Sequence, residues 1–358
     1  MPDEVDDTYL KGRGAQLNTH NRFEKQTVGV FHIEGVDEEE GLGGKTQYIP
    51  THPKTIINKV TSVDVPNGYS MNPYQGCEHG CLYCYARVTH EYWGYSAGLD
   101  FEQKILVKQG IKEALEKQFN KKGWEPLPIM LSGNTDCYQP IEKKLKLTRG
   151  ILEMLLKYKH PVSLITKNSL ITRDLDLLQE LAKHDLVHVM ITITSTDEKI
   201  RLQLEPRTAT YKNRLKAVEA LSKAGIPVGV MVAPIIPGIT SAGIPQVVKM
   251  AAEHGAKRAG YTIVRLNGAI ANVFKDWLEK NYPDRAQKVW NQIKDCHGGQ
   301  VNDSRAGTRM SGEGNIAESI RSLFQISVKK YMKEHVRFVY NTTAFINRHN
   351  AQTSLFDE

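Results

Sequence analysis

Residues 72–87 read NPYQGCEHGCLYCYAR and space Cys77, Cys81 and Cys84 as C-x3-C-x2-C. Thiolates are soft ligands suited to iron–sulfur clusters or zinc, and such short spacings let one loop wrap the metal. Three cysteines on a four-iron cluster leave one iron without a protein ligand. An iron left open in this way can bind a small molecule, whereas a fourth cysteine would close it, and no fourth lies nearby in the chain. Zinc is the alternative, with His79 or His90 completing a Cys3His set, because structural zinc sites close at four ligands. The five cysteines are an odd number and three of them are clustered, so metal or catalysis fits better than a disulfide framework.

Outward from this motif the chain alternates short apolar runs with helix-period segments. PIMLSGNTD (128–136), VSLITKN (162–168), VHVMITITS (187–195), VGVMVAPI (228–235) and AGYTIVRL (259–266) each read as a buried parallel strand. Between them, Ile151, Leu152 and Leu155, then Leu175, Leu178 and Leu181, then Leu215, Val218 and Leu221 mark one apolar face per helix. With a first strand before Gly76 this makes about six βα units, with no hairpin signal inside the series. The pattern leaves open a doubly wound sheet or a partial barrel. The cysteine motif follows the first strand, on the face where barrel enzymes place their sites.

Four regions follow. Residues 1–65 are an arm carrying GRGAQLN (12–18), the acidic block Asp37–Glu40 and a glycine-rich turn at Gly41–Gly44. Residues 66–270 are the core, and 271–346 a helical extension. The extension holds a helix around Asp284–Lys294, a glycine-rich loop at 297–314 and a helix from about Ile316 to Lys333. Residues 347–358 are a polar, flexible tail. The composition, 40% apolar and 24% charged over 358 residues, is that of a globular protein with a real core, in one large domain or two. MPDEVDDTYL at the start is too polar for a secretory segment, and no run reaches the roughly 18 apolar residues of a membrane span. The expected compartment is the reducing cytoplasm. The net charge of +7 is compatible with a polyanionic partner without demanding one.

The cysteine spacing with an aromatic residue, Tyr83, before the last cysteine resembles the signature of the radical S-adenosylmethionine (SAM) superfamily. The longer string NPYQGCEHGCLYCYAR, with LEPRTAT (204–210), resembles the spore-photoproduct-lyase-like branch and within it an uncharacterised bacterial group. The resemblance implies an α/β fold, a partial (β/α)6 TIM-type barrel with the arm and the helical extension at its ends. It implies a 4Fe–4S cluster on Cys77, Cys81 and Cys84, its open iron chelated by SAM, which an electron cleaves to a 5′-deoxyadenosyl radical. It further implies an electron donor such as flavodoxin or ferredoxin. In such a barrel, polar residues at strand ends face the cofactor. These are Asn134, Thr135 and Asp136 for the SAM amino group, and Lys167 with Asn168 for its carboxylate. Ser195 and Thr196 would meet the ribose, Glu205 and Arg207 follow in LEPR, and the backbone near Ala233 would meet adenine.

Two features depart from the lyase. Its hydrogen-donor cysteine precedes the aspartate of the second strand, whereas Cys137 follows Asp136 here. One residue of slip turns a strand side chain to the other face, so Cys137 reads either as a catalytic donor or as a buried apolar residue. Cys296 has no partner, and the two remaining cysteines are too few for an auxiliary cluster. Arg305 and Arg309 among the glycines of 297–314 suit phosphate contacts, and Arg13, Arg22, Lys143, Lys144, Lys146 and Arg149 add basic surface. In the tail, Gln352-Thr353-Ser354-Leu355-Phe356 resembles the pentapeptide by which bacterial polymerases and repair proteins bind the sliding clamp. Three readings stand: a radical SAM enzyme acting on DNA in a repair-like reaction, one acting on RNA, protein or a metabolite, and a non-catalytic metal-stabilised nucleic-acid-binding protein.

Overall fold

Valine and isoleucine fit a pleated surface that is buried on both faces, and the apolar runs form the strands that this composition favours. The computed structural model describes residues 10–23, 45–65 and 68–347. Its strands are β1 (Gln47–Thr51), β2 (Ile57–Val60), β3 (Gly68–Met71), β4 (Tyr74–Gln75), β5 (Lys104–Lys108), β6 (Ile129–Leu131), β7 (Val162–Thr166), β8 (Val187–Thr192), β9 (Val228–Ile235) and β10 (Ala259–Ile263). The main sheet is ordered β10-β9-β8-β7-β6-β3-β2. Neighbours from β3 to β10 are all parallel, which gives the six expected strands of a partial barrel, open between β10 and β2.

Crossover helices cover the outside of the sheet. α1 (Asp100–Gln103) and α2 (Ile111–Phe119) precede β6; α3 (Glu142–Leu145) and α4 (Leu147–Lys157) precede β7. α5 (Leu175–Ala182), α6 (Glu198–Leu204), α7 (Tyr211–Lys223) and α8 (Ile244–Glu253) complete the series. Ile151, Leu152 and Leu155, Leu178 and Leu181, and Leu215, Val218 and Leu221 all enter one core with Val162, Val187, Val189, Val228 and Val230. Each such side chain contributes roughly 1.5–3 kcal/mol on burial. α9 (Ile270–Asn281), α10 (Ala286–Asp295) and α11 (Gly314–Tyr331) form the helical extension, and α11 packs on α8.

Two pairings escaped the sequence pattern. β2 pairs antiparallel with β3, and β1 joins a small sheet with β5 and β4, so part of the expected arm supplies strands to both sheets. β1 and β2 lie at sheet edges with mostly exposed or half-exposed residues, so INKV and QYIPT carry no apolar alternation to read. After α11 the chain crosses the amino ends of the strands. Val336 N–H donates to Lys257 O, Asn341 N–H to Asp185 O and Ile346 N–H to Tyr158 O, each at 3.0 Å. Among the described residues no helix is long and apolar enough to cross a membrane. Asp37–Glu40, Gly41–Gly44 and Gln352–Phe356 lie outside the described residues.

At this end His160 is buried and stacked on Phe119, with ring centroids 4.7 Å apart. Trp124 Nε1 donates to its Nε2 at 3.2 Å and its Nδ1 lies 3.0 Å from Pro161 O, which assigns the neutral Nδ1–H tautomer. Burial lowers the ring's pKa from 6.5 to about 4. The unfolded chain therefore takes up the proton first as the pH falls. The stability this ring contributes is complete above about pH 6.5 and is lost as the pH falls towards 4. We expect urea unfolding to show a loss of roughly 2 kcal/mol from this ring between pH 7 and pH 5. His160→Phe, which has no proton to bind, should show a shallower pH dependence; an unchanged one would refute the assignment.

Candidate active site at the cysteine loop

The cysteines lie in a tight loop that follows β4, at the carboxyl end of the parallel strands. Gly76 and Gly80 turn it with φ of +81° and +69°. Cys77 and Cys81 are 6% and 7% exposed, and Cys84 is half-buried at the start of the 3-10 helix Tyr85–Trp93. Backbone bonds hold the loop from two sides: Cys77 N–H donates to Phe101 O at 2.8 Å and Leu82 N–H to Leu204 O at 3.1 Å. Gln139 clasps it, accepting from Glu78 N–H at 3.0 Å and donating to Gly76 O at 3.1 Å. Glu78 accepts in turn from Ile141 N–H at 2.9 Å and from Tyr48 Oη at 3.0 Å.

The arm takes part in this clamp. Gly14 and Ala15 N–H donate to the buried Glu102 carboxylate at 2.9 and 2.8 Å, which also receives Arg87 at 2.5 Å. Arg87 Nε donates to Cys81 O at 2.9 Å. A Cβ at Gly14 would stand 1.7 Å from Gly80 O, so glycine is required where the arm meets the loop. GRGAQLN is a latch on the cysteine loop as well as an extension around the core.

The end of the second strand crosses onto the same loop. Asn134 N–H donates to Asn72 Oδ1 at 2.9 Å, its Nδ2 to Gln75 at 3.2 Å, and Thr135 Oγ1 to Tyr74 O at 2.6 Å. Asp136 accepts from Thr166 Oγ1 at 2.7 Å and Lys167 N–H at 2.8 Å, with His79 Nδ1 3.4 Å away. Burial opposes its charge, but His79 and these bonds hold its pKa down at about 2. His79 is engaged on its other ring nitrogen too, 3.3 Å from Asn168 Nδ2.

A second carboxylate anchors the opposite wall. Glu205 is fully buried, paired with Arg214 and bonded by Tyr83 Oη, with Thr194 Oγ1 donating at 2.5 Å. Burial is outweighed by Arg214 first and Lys167 next, and its pKa is held at about 2. Lys167 Nζ stands 5.7 Å over the Tyr83 ring. Burial works against its charge, yet Cys81 and Glu205 raise its pKa on balance.

Thr135 and Asp136 beyond β6, Lys167 beyond β7 and Glu205 beyond α6 thus gather around the cysteine loop. Ser195 Oγ accepts from Asp197 N–H at 3.0 Å, and Ala233 O lies 2.9 Å from Thr194 Oγ1. Arg207 is partly exposed, its N–H bonded to His79 O at 3.3 Å, while its buried Nη1 has no hydrogen bond and lies 3.8 Å from Glu78. Cys137 is enclosed in the main apolar core, its thiol pKa pushed well up by burial, so in this structure it packs as an apolar side chain. Sequence reasoning missed Arg214, Glu102, Arg87 and Gln139. Arg214 lies on an amphipathic helix where arginine ordinarily faces water, Arg87 closes the cysteine motif without a ligand role, and Glu102 and Gln139 carry no motif.

The loop fits a cationic metal group. Burial raises the pKa of Cys77, Cys81 and Cys84, with Lys167 opposing it at Cys81 and Arg87 at Cys84, so thiolates in this buried loop call for a bound cation such as iron. For zinc, a closed site needs four ligands within about 2.3 Å of one ion. Of the two histidines that could complete a zinc set, His79 has other partners on both ring nitrogens, with Asp136 at 3.4 Å and Asn168 at 3.3 Å. An unbonded guanidinium nitrogen on Arg207 and a half-buried ammonium on Lys167 suit a ligand carboxylate such as that of SAM.

Comparison with known proteins agrees. The Radical SAM superfamily model matches residues 71–251. An uncharacterised protein of Mycobacterium tuberculosis is 33% identical over 234 residues, 64% of this chain and 69% of that one. Another from Methanocaldococcus jannaschii is 29% identical over 252 residues, covering 70% and 90%. The fold is similar to that of spore photoproduct lyase complexed with dinucleoside spore photoproduct, with a TM-score of 0.60 and 17% identity over 85% of this chain and 86% of that chain. A matched family model spanning half of the chain, a partial parallel barrel and a cysteine loop at its carboxyl end lead to one conclusion: the chain belongs to the radical SAM superfamily, whose enzymes use a 4Fe–4S cluster and S-adenosylmethionine.

Proposed function

We propose that Cys77, Cys81 and Cys84 hold the cluster, that the surrounding strand ends hold SAM, and that the enzyme acts on nucleic acid. When bound, the cluster supplies the electron that cleaves SAM to a 5′-deoxyadenosyl radical. The observation that carries the reading is the set of three thiols on one clamped loop, two buried and Cys84 half-buried, while Cys137 and Cys296 lie apart in the main core. Lys167 and Arg207 bind the SAM carboxylate; Asn134, Thr135 and Asp136 fix the loop and face the amino group. Ser195 and the Ala233 backbone bound the ribose and adenine. Glu205 keeps Tyr83, Lys167 and Arg214 in register. Cys137 has no part in this reading, because its thiol is closed off. The cytoplasm, where thiols stay reduced, suits such a loop, with flavodoxin or ferredoxin as electron donor.

Three observations favour DNA as the substrate. The fold is similar to a lyase whose structure holds a dinucleoside lesion. The chain carries a net charge of +7. The third is the tail Gln352–Phe356, whose Leu355 and Phe356 can fill a hydrophobic pocket on a sliding clamp while Gln352 hydrogen-bonds. The described chain reaches Asn347 at the amino ends of the strands, where Ile346 bonds to Tyr158, so a partner there leaves the cysteine loop uncovered.

Replacing any one of the three cysteines by Ala should remove the visible absorbance and SAM cleavage together in anaerobically reconstituted protein. A colourless wild type with one equivalent of zinc would overturn the cluster assignment. Lys167→Ala should keep the absorbance and bind SAM more weakly by about 1.5–3 kcal/mol, as for a hydrogen bond to a charged group; equilibrium dialysis giving wild-type affinity would remove Lys167 from the site. Deleting residues 352–358 should abolish retention on immobilised bacterial sliding clamp, and equal retention of both proteins would sink the tail assignment.

A further inference from the structure

The glycine-rich segment 297–314, which the chemistry above does not use, closes over the carboxyl end of β10. Ile263 N–H donates to Met310 O at 2.9 Å and Leu266 N–H to Val301 O at 2.8 Å, while His297 Nε2 lies 2.8 Å from Val264 O. Arg265 sits between these ties, just beyond the end of β10, on the face of the barrel that carries the cysteine loop.

The arginines of the loop itself are satisfied. Arg305 bonds Asp303 at 2.9 Å and Glu313 at 2.5 Å, and Arg309 is paired with Asp64 and bonded to Ser62. Arg265 differs. It is half-buried, and among the described residues its side chain has no hydrogen bond or ion pair. Burial first, then the charge of Arg309, lower its pKa, with Tyr85, Asp64 and Asp303 opposing. A guanidinium stays charged at neutral pH whatever that shift, so the site keeps a cation whose own neighbours compensate it incompletely.

Tyr85 is the other half of the arrangement. It directly follows Cys84, its ring is half-exposed, and its hydroxyl is tied to Gly133 O at the end of the second strand. The phenol is therefore held at its hydroxyl while the residue stays 47% exposed. A planar guanidinium matches phosphate oxygens in bidentate fashion, and an open aromatic face accepts a nucleobase. An ordinary exposed arginine would swing into solvent, whereas this one is fenced by the loop and by Arg309.

We propose that Arg265 and Tyr85 form a subsite for one nucleotide of the substrate, Arg265 gripping a phosphodiester and Tyr85 stacking on the adjoining base. The subsite rests on the nucleic-acid reading above. It places the held nucleotide beside the cysteine loop, with Arg309 adding positive potential without contact.

Fluorescence anisotropy with a labelled single-stranded oligonucleotide, titrated against the reconstituted full-length protein over a salt series, tests it. Arg265→Ala should weaken binding about tenfold and flatten the salt slope by about one unit, the signature of one lost phosphate contact. Arg265→Lys should keep the slope and lose only part of the affinity. Lys216→Ala, which removes an exposed charge from the outer face of α7, should leave the slope unchanged. Tyr85→Leu should weaken binding with no change of slope, because stacking releases no counterion. Wild-type binding matched in affinity and slope by Arg265→Ala overturns the subsite alone. A wild type that binds no oligonucleotide overturns the nucleic-acid reading and the subsite with it.

Discussion

Three thiols buried within eight residues of one another cannot be held by apolar packing alone, because the loop that carries them is nearly all backbone and turn. Every clamp on it is polar. The Glu102 carboxylate gathers Gly14 N–H, Ala15 N–H and Arg87, and Gln139 spans Glu78 and Gly76. Arg87 and Glu102 are both wholly buried. Such a pair contributes little net stability over an apolar one of equal volume, yet removing one partner costs about 3–5 kcal/mol. What it supplies here is position. Arg87 bonds to the carbonyl of Cys81 itself, so the ion pair and the loop backbone are one unit.

The rest of the mouth is organised around that loop by two more buried carboxylates. Asp136 joins the second and third strand ends to His79, between the first two cysteines. Glu205 joins the fourth strand end, Tyr83 and Arg214. Each is kept ionised against its burial by donors on neighbouring elements, so neither network forms until the strands have paired. Local chain geometry supplies the cysteine spacing, whereas tertiary packing supplies the electrostatics.

That division explains what could be read from the amino-acid sequence. The six parallel strands and the faces of α4, α5 and α7 were legible, because burial on both sides writes valine and isoleucine runs that no loop would carry. The cysteine loop and the strand-end residues around it were legible from spacing and position. β1 and β2 were not, since an edge strand needs no apolar pattern. Arg214, Glu102 and Gln139 were not, since a charged or amide side chain looks the same in sequence whether it faces water or a buried partner. Cys137 was open in sequence between a hydrogen donor and a buried apolar residue, because one residue of slip after β6 decides it, and the structure packs it in the core.

The two ends of the barrel are built on opposite principles. At the amino ends, aromatic rings and backbone bonds from residues 336–346 pack across the sheet, around a cavity bounded by Asp185, His188 and Lys257. His188 lies 4.4 Å from Phe338 and 4.0 Å from Tyr340 between ring centroids, and Phe345 stands edge-on to His160 at 5.4 Å. At the carboxyl ends the groups are charged and bonded to backbone. There Arg207 Nη1 has no hydrogen bond and the Tyr85 side chain is exposed. The charged groups of the mouth are held by carboxylates and backbone bonds of their own, apart from the apolar core that strands and helices bury beneath them. Under the proposed nucleic-acid function, binding energy from the substrate would be used at the mouth, beside the cysteine loop, rather than on ordering the barrel.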